Sequence, residues 1–233
     1  MKIPILMYHS ISDGIHPLSV SISNFDKQMK FMKNNSYKSI NFEELDTLEP
    51  KNKYFIITFD DGYEDVFINA LPILNKYNFS SICFFVTDYI GKHNIWDDGN
   101  NNFAKLKLMD IEKIKIWNNN GMSVGAHTVS HKNLKNLSHN EKYIQIIGPK
   151  KFFNRTMSID IAVFSYPFGS FDKDSIDIVK KNYRFAVTTK RSRFITNKFS
   201  QSELPRIPVN KTDNMFKFFL KIKTIYEDIK YKN

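Results

Sequence analysis

Two short stretches of this 233-residue chain gather the side chains that bind metals and move protons. In Thr58-Phe59-Asp60-Asp61-Gly62 two carboxylates are adjacent, and adjacent carboxylates repel unless a cation or a proton sits between them. A divalent metal resolves the conflict. One carboxylate binds the ion while the other, pointing elsewhere, stays free to take a proton from metal-bound water. Gly62 permits the tight backbone that separates them. An Asp-Asp-Gly turn capping a helix carries the same dipeptide without chemistry, so the motif gains its meaning from a companion. His127-Thr128-Val129-Ser130-His131 spaces two imidazoles four residues apart. A first helical turn puts both on one side, as nitrogen donors of the kind zinc and similar divalent ions prefer. Two histidines and one aspartate leave coordination positions open, the stoichiometry of a catalytic rather than a structural site.

The elements that must position these groups follow from hydrophobic pattern. Apolar runs at residues 3–8, 54–59, 81–86, 122–126, 161–166 and 185–188 are continuous rather than alternating, which suits strands buried on both faces of a parallel sheet. Between them, residues 24–35, 64–77 and 110–119 carry helical spacing, the first with Asn24 or Ser23 as its cap. Residues 91–102 read as a polar loop, and Gly148-Pro149 is expected to break the helix that begins near Ser138. The alternation predicts an α/β fold, a distorted and incomplete (β/α) barrel of about seven parallel strands. His9, the Asp60-Asp61 pair, the His127/His131 pair and Pro167-Phe168-Gly169 each follow a predicted strand. In a barrel those strand ends meet on one face, where active sites form.

Composition sets the bounds. With 42% hydrophobic and 15% aromatic residues the chain can bury one sizeable core, so residues 1–233 read as a single catalytic domain ending in a helix at about 214–230. The longest apolar runs fall far short of the roughly 20 residues that span a bilayer. The N-terminus enters a strand directly, without the series of regions that marks an export signal, so a cytoplasmic location, possible at the inner membrane face, is expected. Cys83, the single cysteine, has no internal disulfide partner and reads as a core residue. The net charge of +10 comes with scattered lysines and abundant Asn, Ile and Phe, the mark of an A/T-biased genome. No nucleic-acid-binding signature accompanies it. The basic helix at 214–230 is a candidate for peripheral contact with anionic lipid, or for packing its phenylalanines on the barrel. Oligomeric state is not readable.

Thr58-Phe59-Asp60-Asp61-Gly62 and His127-Thr128-Val129-Ser130-His131 with Leu134 resemble motifs of the polysaccharide deacetylases, carbohydrate esterase family 4. The resemblance runs from Pro4 to about Val209. It implies a distorted (β/α) barrel, a metal held by Asp61, His127 and His131, and Asp60 as general base. The metal implied is one divalent ion, zinc first, with Co2+, Ni2+, Mn2+ or Fe2+ as alternatives. The family's arginine before Pro-Tyr-Gly is missing from Phe164-Ser165-Tyr166-Pro167-Phe168-Gly169, and no histidine follows His139 to supply its usual general acid. Both departures resemble the circularly permuted branch that includes poly-N-acetylglucosamine deacetylases, in which a Met-Tyr-His strand near the N-terminus supplies the acid. Leu6-Met7-Tyr8-His9 fits that pattern, and imidazole titrates in the range the role needs. Leu204-Pro205-Arg206-Ile207-Pro208 also recurs in the branch, and Arg206 is expected to replace the motif arginine by orienting Asp60. A backbone N–H near Phe168 is the expected oxyanion donor beside Pro167, and Tyr166, Phe168 and Trp96 the expected sugar-stacking surface. The resemblance thus implies an acetylated saccharide as substrate and N-deacetylation as the reaction, with a carbohydrate O-acetyl esterase or a catalytically degenerate carbohydrate-binding protein as alternatives.

Overall fold

The computed structural model describes residues 1–14, 16–97, 104–195 and 199–230. Seven parallel strands form a closed ring: β1 (Ile5–Tyr8), β2 (Lys53–Phe59), β3 (Ile82–Phe85), β4 (Ser123–Ala126), β5 (Val163–Ser165), β6 (Phe185–Arg191) and β7 (Leu204–Pro208). Each pairs with its neighbour in sequence, and β7 closes onto β1 with Ile207 opposite Leu6 and Pro208 opposite Met7. The expected barrel is therefore present, one strand short of eight. It is distorted where β4 and β5 share a single register pair, Ala126 with Phe164, and where the β6–β7 ladder is irregular between Val187 and Arg191. Sequence reading did not assign β7 as a strand, and its Pro205 and Pro208 are residues that a central strand rarely holds. The ladder irregularity falls opposite Pro205, which has no N–H to give.

Side-chain alternation divides each strand between lumen and helical layer. In β2, Tyr54 and Ile56 pack in the cluster that includes Phe84, Val163, Val187 and Leu204, whereas Phe55, Ile57 and Phe59 pack with the helices. Continuing that register by twos past the strand end brings Thr58 and then Asp60 over the lumen. The same count carries β1 from Ile5 to His9, β4 from Gly125 to His127, β5 from Val163 to Ser165, and β7 from Leu204 to Arg206. The upper lumen is consequently polar while the lower lumen is aromatic and aliphatic.

The surrounding helices are α1 (Ile22–Asn34), α2 (Leu71–Tyr77), α3 (Ile111–Asn119), α4 (His139–Met157), α5 (Lys173–Asn182), α6 (Met215–Lys223) and α7 (Tyr226–Lys230). Among the described residues no helix is long and apolar enough to cross a membrane. Asp110 caps α3 by accepting from the Lys113 N–H, and α1 starts earlier than expected, capped by Ser21, whose Oγ accepts from the Asn24 N–H. The expected helix at 64–77 opens with a wide π-type turn at Val66–Ala70 before α2. The expected helix at 214–230 divides at Thr224 and Ile225. Phe218 and Ile222 of α6 pack inward, Lys221 is buried against Asp213, and Phe216 and Phe219 are exposed. Of the expected polar loop at 91–102, residues 98–102 lie outside the described residues.

The expected break at Gly148-Pro149 is not observed: α4 runs through both residues. A proline within a helix forfeits one backbone bond and crowds the preceding turn, but here burial of Ile146, Ile147 and Phe153 holds the helix in place. Tyr183 also donates its hydroxyl to the Ile146 carbonyl at 2.6 Å, one residue beyond the Gln145 carbonyl that Pro149 leaves without its helical donor. Gly148 has its own reason. A Cβ there would lie 2.2 Å from Cγ2 of Val129, so the glycine admits the turn between the two histidines against α4.

Gly148→Ala therefore sets a helix-propensity gain of about 1 kcal/mol against overpacking that costs about 1–3 kcal/mol. We expect a net loss in urea denaturation, recovered in part by adding Val129→Ala. Stabilisation by the single substitution would contradict the packing described.

Candidate metal centre and active site

Asp60 and Asp61 leave β2 in opposite directions. Asp61 is left-handed, with φ of 73°, and Gly62 follows at 78°; a Cβ on Gly62 would sit 2.6 Å from the Phe85 ring. The reversal sends the Asp60 carboxylate into the lumen and the Asp61 carboxylate toward the loop after β4. Of the seven non-glycine residues with positive φ among those described, Asp61, Thr128, His131 and Phe168 lie at this one face. Such backbone is costly and concentrates at functional sites.

Asp61 Oδ1 lies 3.4 Å from His127 Nε2 and 3.3 Å from His131 Nε2. The ligand atoms of all three buried residues fall within 4.8 Å of one another. The histidines do not share a helical turn, as their spacing suggested. Left-handed Thr128 and His131 fold residues 127–131 into a tight loop, closed by the His131 N–H donating to Thr128 Oγ1 at 2.9 Å. Helix α4 holds this loop: Ser130 N–H donates to Gln145 Oε1 at 2.9 Å, and Gln145 Nε2 to Ser130 Oγ at 2.8 Å.

The donor set fits a divalent cation. His127 Nδ1 lies 2.8 Å from the Ser165 carbonyl, which can only accept, so Nδ1 carries a proton, and in the neutral ring Nε2 turns its lone pair toward Asp61. Burial pushes the His131 imidazole below its ordinary range, despite Asp61, and so favours the neutral form a ligand requires. Burial would also lower His127, but hydrogen bonding to Asp61 and attraction by both aspartates raise it. Burial would raise Asp61, yet the two imidazoles hold its carboxyl well below the usual carboxylate range. The cluster is thus an anionic centre that attracts positive charge.

Asp60 is satisfied separately. Arg206, with no exposed surface, donates from its two terminal nitrogens to Asp60 Oδ1 at 2.6 Å and Oδ2 at 2.7 Å. Its remaining donors reach the Thr188 carbonyl, Thr58 Oγ1 and Ser165 Oγ, and its guanidinium lies over the Phe84 ring. Burial would raise the Asp60 carboxyl, but Arg206, aided by His127 and His9, holds it below its ordinary value. The missing arginine of the Pro167-Phe168-Gly169 motif is therefore not a missing guanidinium. One arrives from β7, past the small Ser165. Thr58, Ser165 and Thr188 were not singled out in the sequence, although each lies in or beside a predicted strand end.

His9 is partly buried beside β2, where the Asp60 N–H donates to the Tyr8 carbonyl at 3.0 Å. Pro167 is buried in a turn that Gly169 and Ser170 close by donating to the Tyr166 and Pro167 carbonyls. Trp96 and Phe168 bracket His131, with ring centroids 4.5 and 4.6 Å away, and Phe168 is 57% exposed. Tyr166 departs from expectation: its ring is fully buried against Phe164 and Phe171, and its hydroxyl donates to the Ser202 carbonyl. One residue beyond lumen-facing Ser165, it belongs to the helical layer and cannot line a sugar-binding surface. Tyr63 and His16, unflagged by sequence, pack edge-to-face at 5.7 Å beside the centre; the Tyr63 hydroxyl is buried and Asp61 acts on it.

Residues 47–185 match the sequence pattern of the family described as polysaccharide deacetylase. This chain belongs to the polysaccharide deacetylase family. It is 31% identical over 196 residues to YxkH of Bacillus subtilis strain 168, whose name carries the same words, covering 81% of this chain and 65% of YxkH. The chain thus spans slightly less than two thirds of that relative. It is 26% identical over 235 residues to the poly-beta-1,6-N-acetyl-D-glucosamine N-deacetylase of Staphylococcus aureus strain MSSA476, covering 93% of this chain and 76% of that protein. Among solved structures it resembles BC0361, a polysaccharide deacetylase from Bacillus cereus, at 28% identity and a TM-score of 0.83, covering 96% of this chain and 69% of that one. Asp60, Asp61, His127 and His131 all fall within the matching stretch and stand on one barrel face. His9 and Arg206 lie outside the stretch that matches the family pattern, and reach the same face through β1 and β7.

Removing one partner of a buried ion pair leaves the other charge stranded, at a cost of about 3–5 kcal/mol. We expect Arg206→Met to lose stability on that scale in urea denaturation. Arg206→Lys, which keeps the charge but not the paired donors, should lose distinctly less. Equal, small losses in both variants would show that the pair matters little to folding.

Proposed function

We propose that this chain is a metal-dependent carbohydrate deacetylase that removes the N-acetyl group from an N-acetylated sugar, within a glycan or a lipid-linked saccharide. The observation that carries the reading is the division of the two aspartates: Asp61 joins His127 and His131 in a ligand cluster, while Asp60 stands beside it on Arg206. In this reading Asp61, His127 and His131 hold one divalent ion, zinc or one of Co2+, Ni2+, Mn2+ and Fe2+. When bound, the ion supplies Lewis acidity to the acetamide carbonyl and makes a nearby water acidic.

The remaining steps belong to the chain. Asp60, held in one orientation by two hydrogen bonds from Arg206, takes the proton of the attacking water. The Phe168 N–H, which neither bond of its turn uses, donates to the oxygen that becomes negative as the carbonyl carbon turns tetrahedral. His9 gives a proton to the sugar nitrogen as the C–N bond breaks, and acetate and the free amine leave. Trp96 and the exposed Phe168 ring flank the entrance and offer stacking surface to a pyranose. A degenerate carbohydrate-binding role drew support from the absent motif arginine, and Arg206 removes that support. An O-acetyl ester substrate is separated from an N-acetyl one by comparing turnover on N-acetylglucosamine oligomers and acetylated xylan. Activity on the xylan alone would turn the reading toward an esterase.

Asp60→Asn should retain bound metal and lose turnover on N-acetylglucosamine oligomers by about 10²- to 10⁴-fold, the usual share of a general base. Turnover at the wild-type rate would remove Asp60 from that role. His131→Ala should instead lose the metal itself, measured by elemental analysis after gel filtration, with activity returning only at a large excess of added zinc. Undiminished metal content in that variant would mean that the ion is held elsewhere.

A further inference from the structure

The backbone immediately after His9 is held by side chains from the segment immediately after Asp61. Asp65 accepts from the Ser10 hydroxyl at 2.6 Å through one carboxylate oxygen and from the Ile11 N–H at 3.1 Å through the other. Asn69 donates from its amide to the Ile11 carbonyl at 2.8 Å. Both backbone groups of Ile11 are thus satisfied from outside its own strand, as a neighbouring strand would satisfy them. Ser10 and Ile11 also pair in parallel with Ser19 and Val20, with Ser10 Oγ 2.8 Å from Ser19 Oγ. The wide turn at Val66–Ala70 lies between Asp65 and α2, and turns of this type are rare and concentrate at functional sites. Beyond the clamp, the chain returns to the site: His16 packs its ring on Tyr63.

This arrangement does more than secure a loop. Asp60, Asp61 and Asp65 lie on one short segment, so the clamp fixes the residue that follows His9 relative to the base and the metal ligand. We propose that Asp65, assisted by Asn69, is a positioning residue that sets His9 at the distance from Asp60 and the metal centre needed to protonate the departing amine. The proposal rests on the deacetylase reading. In the step it governs, the C–N bond of the tetrahedral adduct breaks, its electron pair passes to nitrogen, and the His9 imidazolium gives that nitrogen its proton. The imidazole is left neutral, and acetate and amine are released.

The test exploits leaving-group chemistry. An amine needs the proton in order to depart, whereas the nitrophenolate of 4-nitrophenyl acetate does not. Asp65→Asn should lower kcat on an N-acetylglucosamine oligomer by roughly 10- to 100-fold with KM little changed, since small misplacements of a catalytic group cost on that order. On 4-nitrophenyl acetate its loss should stay below about threefold, because that substrate makes no demand on the acid. Metal content and Tm, measured alongside, report whether the fold survives. Should Asp65→Asn fail to fold, Ser10→Ala, which removes one contact of the clamp, must show the same selective loss in smaller measure. Equal losses on both substrates, or no loss on the amide in a folded variant, overturn the proposal. His9→Ala distinguishes the two levels. If the wild type hydrolyses no acetamide, the deacetylase reading fails and the proposal with it; if acetamide is hydrolysed but His9→Ala shows no amide-selective loss, His9 is not the acid and the proposal alone fails. If His9→Ala is selective and Asp65→Asn is not, only the proposal fails.

Discussion

A guanidinium and a carboxylate can lie side by side in a barrel lumen only if each offsets the other's loss of water, and this is the relation of Arg206 to Asp60. Both are buried, and every remaining donor of the arginine meets an oxygen of Thr58, Ser165 or Thr188. Removing two charges from water costs several kcal/mol per ion even after relaxation, so such a pair persists only when its hydrogen bonding is complete. The consequence reaches beyond stability. With Asp60 committed to Arg206, the electrostatic conflict between adjacent aspartates is relieved, and Asp61 is left to face its two histidines.

That separation depends on backbone geometry that a regular strand or helix cannot supply. Asp61 and Gly62 take left-handed conformations in sequence, Thr128 and His131 do so on the neighbouring loop, and Phe168 on the next. Each reversal turns one side chain out of the direction its strand would give it. The cost is borne by packing below the site: Phe85 against Gly62, α4 against the Thr128 loop through Gly148 and Gln145, and the aromatic lower lumen. Strain held by a rigid scaffold keeps the three potential ligand atoms at fixed distances, so that an ion would find them arranged with little reorganisation to impose.

The period-two alternation of the strands is the second organising constraint. His9, Asp60, His127, Ser165 and Arg206 come from five strands and share one property: each extends the lumen-facing register of its strand. Tyr166 shows the rule by exception, since its odd place in the same count sends an aromatic ring that sequence reading assigned to the sugar surface into the helical layer. Trp96 and Phe168 reach the mouth from loops and escape the rule, which is why they, and not Tyr166, bracket His131.

The sequence by itself determined which residues could bind a metal and that strand ends would bring them together, because ligand chemistry and hydrophobic period are local properties. The pairing of Arg206 with Asp60 was also legible, through a motif near one end of the barrel. The fold of the histidine loop, the passage of α4 through Gly148-Pro149, and the existence of β7 despite two prolines were decided by tertiary structure. In each case local preference pointed one way and packing against a distant segment outweighed it: Val129 on Gly148, the closing pairs of β7 with β1, the Ser130 contacts with Gln145. The clamp of Asp65 and Asn69 on Ile11 had no local signal at all. Its partners lie more than fifty residues apart in the chain, and only the parallel pairing of β1 with β2 makes them neighbours.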